Sequence, residues 1–87
     1  MADYETGLIH LAHSLKAMRL ERGHSQADLA QLAGVPRLKV VQIEAAKPGV
    51  SVAAYARVAA AMGAEMRVVP QQRPTLDEIR QLLEDDE

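Results

Sequence analysis

The sequence predicts an all-helical domain, a bundle of four to five helices with one short C-terminal β-strand. Three observations point there. Apolar residues recur at helical spacing through residues 8–62. Ser25 and Ser51, with Gly23, Gly34 and Gly63, fall where such helices would start and stop. The pattern then changes at residues 65–69 to near period-2 alternation closed by Pro70, which reads as a strand.

The first helix is expected over residues 7–22, burying Leu8, Leu11, Ala12, Leu15 and Met18, with Gly23 just past its end. Ser25 caps a second helix over residues 26–33, with Leu29, Ala30 and Ala33 inward. Residues 33–36 (Ala-Gly-Val-Pro) form a tight turn, and Pro36 suits a helix start because its missing N–H is an orphan there anyway. A third helix is expected over residues 36–45, anchored by Val40 and Ile43. Lys47-Pro48-Gly49 breaks the chain. Ser51 caps a fourth helix over residues 52–62, with Val52, Tyr55, Val58 or Ala59, and Met62 on its buried face.

One strand cannot satisfy its backbone groups alone. Glu65, Met66, Arg67, Val68 and Val69 are therefore expected to pair with the same strand of a second subunit about a two-fold axis. After Pro74, Thr75 and Glu78 make a capping box ahead of Ile79, Leu82 and Leu83, which predicts a short amphipathic helix fraying into the acidic residues 84–87. The chain divides accordingly into an N-terminal stub (1–7), a folded domain (8–69) and an acidic tail (70–87).

Composition narrows the function. A chain of 87 residues buries only about 60–65% of its unfolded surface, so its core is thin and a homodimer is favoured. There is no Cys, hence neither disulfide nor Cys-based zinc site. The absence of Phe and Trp argues against an aromatic platform for single strands. Apolar runs fall far short of a membrane span, and the acidic N-terminus lacks a signal peptide's basic region, so a cytoplasmic, nucleoid-associated protein is expected. The net charge of −2 conceals a division: residues 8–69 carry eight Lys and Arg against four Asp and Glu, while both ends are acidic. A basic centre suits a polyanionic partner.

The segment from Ser25 to Glu44 is the informative part. Two helices crossing at Ala30 and joined through Gly34, which permits positive φ, are locked by Leu29, Val35, Val40 and Ile43. The outer face of the third helix then carries Arg37, Leu38, Val41 and Gln42, with Lys39 at its flank and Lys47 just beyond it. A short convex face led by Arg suits insertion in the major groove of double-stranded DNA. The spacing of Gln26, Ala30, Gly34, Val35, Ile43 and Glu44 resembles the Xre/Cro–lambda-repressor class of helix-turn-helix proteins, over about residues 11–69. The resemblance implies a lambda-repressor-like bundle. It implies that Gln26 contacts a phosphate, that Arg37, Leu38, Val41 and Gln42 face bases, and that Arg19 pairs with Glu44. With the terminal strand, the chain looks like HipB-like antitoxins, which implies a palindromic operator, a dimer and a toxin partner.

Blander readings stand beside these. The pattern also describes a plain helical hairpin, and Arg37 and Lys39 also read as solvated surface charges. Leu38 and Val41 either touch thymine methyls or belong to the core. His10 and His13 lack a third metal ligand and read as surface residues. The tail reads as a solubilising end or as a partner-binding segment. No cofactor, metal or catalytic constellation is expected. The alternative to a DNA-binding repressor is a protein–protein module that neutralises or scaffolds a partner.

Overall fold

The computed structural model of the chain describes residues 4–70 together with Arg80 and Leu83. Four helices follow one another: α1 (Tyr4–Glu21), α2 (Gln26–Ala33), α3 (Arg37–Glu44) and α4 (Val52–Ala61). α2 packs against both α3 and α4, while α1 packs against α3. The core between them consists of Leu15, Leu29, Ala30, Val40, Ile43, Ala54, Tyr55, Val58, Ala59 and Met62. Leu8, Leu11, Met18, Ala33 and Val35 close over it from the side.

The expected helices form, with three adjustments. α1 begins at Tyr4, three residues early, because Glu5 in the first turn suits the positive helix end and Gly7 sits within the helix rather than ahead of it. Pro36 stands at the N-cap of α3 rather than inside it. Val52, expected inward, is 73% exposed. The first turn of α4 rises from the exposed Lys47-Pro48-Gly49 loop, so its buried stripe starts two positions further on, at Ala54 and Tyr55.

The predicted strand is corrected. Residues 65–69 form no strand, and none occurs among the described residues. A ladder needs a second backbone, and among the described residues this segment meets none: Val68 is fully exposed and Val69 68% exposed. The predicted tail helix lies outside the described residues except for Arg80 and Leu83, which are helical and exposed.

Two polar features stand out in the interior. The Tyr55 hydroxyl is buried and, among the described residues, makes no hydrogen bond, so burial pushes its pKa up. Arg19 is only 7% exposed. Unlike the hydroxyl, it makes three hydrogen bonds.

Candidate nucleic-acid interface

Local chemistry fixes α2 at both ends. The Ser25 hydroxyl accepts from the Asp28 N–H at 3.0 Å, and the Asp28 carboxylate accepts from the Ser25 N–H at 3.1 Å. This closed capping box satisfies two orphan amides. Donation from the Ser25 backbone N–H, and after it from the Ser25 side chain, holds the Asp28 carboxyl below its ordinary pKa. At the other end Gly34 adopts the left-handed conformation, φ 70° and ψ 35°. The chain can then turn so that the Val35 N–H reaches back to the Ala30 carbonyl at 3.0 Å.

α3 is built differently. Pro36 offers no side-chain cap, and its carbonyl accepts the Lys39 N–H at 2.9 Å. Three of its eight residues are β-branched, and two turns are too short to hold a helix in water unaided. It is held from beneath: Val40 and Ile43 are completely buried. Burying two such side chains is worth about 1.5–3 kcal/mol each. Those anchors set the rotation of the helix. Arg37 and Leu38 are exposed, Leu38 at 63%, while Lys39, Val41 and Gln42 are half-buried along the flanks. Lys47 is exposed in the loop beyond. The expected outer face thus divides into an open leading end and a recessed follow-on.

A polar network ties this pair to the rest of the domain. Arg19 Nε donates to Glu44 Oε2 at 2.7 Å and Arg19 Nη2 to Glu44 Oε1 at 2.9 Å, a bidentate fork whose side chains are 9% and 5% exposed. The third arm, Nη1, donates to the His24 carbonyl at 2.9 Å. Pairing with Glu44 raises the Arg19 pKa against the opposing effect of burial. The Gln26 side-chain amide also donates to Glu44 Oε1, at 3.2 Å. One carboxylate at the end of α3 therefore gathers α1 and the start of α2, while Arg19 holds the turn between them.

Spacing along the chain did not reveal two of these placements. The resemblance implies a phosphate contact for Gln26; in the fold its side chain is half-buried and bonded to Glu44, 18 positions away. Arg57 on α4 figured only in the charge count, yet its guanidinium lies 3.9 Å from where a side chain on Gly34 would begin, over the α2–α3 turn. Because Arg57 is exposed, it adds a cation beside the turn. His10 and His13 are both exposed on α1. Among the described residues no His, Cys, Asp and Glu side chains gather in threes to hold a metal, and no helix is long and apolar enough to cross a membrane.

A family model described as a helix-turn-helix domain matches residues 10–70, which span all of α2, α3 and α4 and most of α1. No curated protein and no solved structure matches the chain.

Proposed function

The chain belongs to the helix-turn-helix domain family, and from that premise we propose that it is a homodimeric, sequence-specific repressor that reads a palindromic operator with α3. The observation that carries this reading is the orientation of α3. Val40 and Ile43 root it in the core, and Arg37 and Leu38 stand free at its leading end. An Arg there reaches guanine O6 and N7 with both arms, and a neighbouring Leu methyl suits the thymine methyl. Val41 and Gln42 lie one turn further along, Gln42 facing adenine or phosphate. Lys39, Lys47 and the start of α2 at Gln26 serve the phosphate backbone.

The dimer rests on residues 65–69. Met66, Val68 and Val69 are exposed apolar side chains on a segment that, among the described residues, joins no helix or strand. An antiparallel copy of the same segment satisfies both needs. Such a dimer sets two α3 helices about 34 Å apart and half-sites about 10 bp apart, or whole-turn multiples of that. In this reading the protein is the antitoxin of a toxin–antitoxin pair, repressing its own operon, with the tail (residues 70–87) as the toxin-binding element.

Gel-shift titration against a selected operator and its base-substituted variants tests the assignment. Arg37→Ala should weaken binding and relax specificity at one symmetric position per half-site, by about 1–3 kcal/mol. Lys47→Ala should weaken every sequence alike. Equal losses on all sequences from both variants exclude α3 as the reading element. The exposed Leu38, Val68 and Val69 favour a second reading, a protein-docking module. Salt separates the two: DNA affinity falls by about 0.9 log units per log salt for each neutralised phosphate, and apolar docking does not.

A further inference from the structure

Glu44 does more than pair with Arg19. Its carboxylate can only accept hydrogen bonds, and it already holds two Arg19 donors when the Gln26 amide arrives at 3.2 Å. A side-chain amide has two faces, a carbonyl oxygen and an NH2 group, and rotation by half a turn exchanges them. Beside an ionised carboxylate only the NH2 face is tolerated, since the carbonyl would bring two acceptors into contact. The polarity of the Gln26 head is therefore dictated by its neighbour. We propose that Glu44 is a positioning residue for DNA contact: by engaging one N–H of the Gln26 amide it commits the remaining N–H of the same nitrogen to a backbone phosphate.

The inference rests on the α2–α3 pair being the DNA-binding face. Gln26 is the first residue of α2, half-exposed, and its side chain reaches back over the C-terminal end of α3. There an NH2 group favours a phosphate and a carbonyl oxygen repels one. Freed from Glu44, the amide samples both orientations. The loss of order at Gln26 then lowers affinity without touching any base contact.

The sign of the effect separates this role from simple electrostatics. Removing a negative charge near the DNA should tighten binding if charge alone matters. Glu44→Gln keeps the shape of the side chain but offers a single oxygen to three donors. If Glu44 positions Gln26, binding of a fluorescent duplex of mixed sequence should weaken about tenfold or more, the scale of one lost hydrogen bond to a charged group. Fluorescence anisotropy should be read at a temperature where circular dichroism shows each variant folded. Gln26→Ala should give the same loss, and adding Glu44→Gln to it should cost nothing more. Should Glu44→Gln fail to fold, Glu44→Asp retains the charge, draws the carboxylate back by one methylene and carries the same expectation. Unchanged or tighter binding by the Glu44 variant, or losses that multiply in the double variant, overturns the proposal. Lys47→Ala, expected to weaken every sequence alike, is the reference. If it weakens binding while Gln26→Ala does not, the positioning role alone fails; if neither does, the DNA-binding face itself is misassigned.

Discussion

Glu44→Ala strands a cation. Three arms of the Arg19 guanidinium are engaged, two by Glu44 and one by the His24 carbonyl, and the residue is 7% exposed. The substitution removes two of those bonds and the countercharge together. Arg cannot escape by losing its proton. Breaking a buried pair from one side costs about 3–5 kcal/mol. The surviving bond to His24 and the half-exposed Gln26 alongside put this case at the lower end, about 3 kcal/mol by the same measure. A domain of this length has roughly 4–13 kcal/mol to lose. The midpoint of thermal unfolding should therefore fall by about 12–24 °C, measured by circular dichroism at one fixed protein concentration. Replacing both partners by apolar residues, Arg19→Met with Glu44→Leu, should recover most of the loss, because no charge is then left without a partner. If the double variant melts as low as Glu44→Ala, the cost comes from packing, and the stranded-charge argument is wrong.

Four further outcomes follow from the same structure. Met66→Pro removes a backbone donor from residues 65–69 and should give monomers with weak DNA binding; sedimentation of the unsubstituted protein as a monomer at micromolar concentration would contradict the dimer. Tyr55→Phe deletes a buried hydroxyl that has no partner among the described residues, and should raise stability by about 1 kcal/mol. A lower melting temperature would mean that the hydroxyl is engaged. Ala46 carries φ 56°, where a Cβ costs about 1–2 kcal/mol. Ala46→Gly relieves that strain, loses about 0.5–1 kcal/mol to the greater freedom of the unfolded chain, and should emerge slightly more stable in a urea titration. The Asp28 carboxyl is held below its ordinary pKa, so the cap's contribution is complete above that value and disappears as pH falls through the lower folded one. Asp28→Asn should flatten this acid limb of a plot of melting temperature against pH.

Capping chemistry made α2 readable to the residue, because Ser25 and Gly34 each admit few alternatives at a helix end. The start of α1 was less legible: a glycine inside a helix carries only a modest penalty, so Gly7 looked like a boundary where none exists. The rotation of α3 was readable only in part. Eight residues give two turns of periodicity, and the burial of Val40 and Ile43, not the outer pattern, decides that Leu38 is open and Val41 recessed. Arg19 and Glu44 came from resemblance rather than spacing, and Gln26 joined them only in three dimensions. The alternation at residues 65–69 is a real signal of strand propensity, but a ladder belongs to two backbones, and one chain supplies just one.

The uncapped, two-turn α3 has one more consequence. A peptide of its eight residues would have no reason to be helical in water, so its shape is lent to it by Val40 and Ile43. The side chains that would meet DNA are thus not the ones that hold the helix. Arg37 and Leu38 can be exchanged for other pairs while the anchors, and with them the bundle, stay as they are. Such a scaffold can be retargeted to a new site by one or two changes at its open end, so descendants of one ancestor can part ways in what they recognise long before they part ways in how they fold.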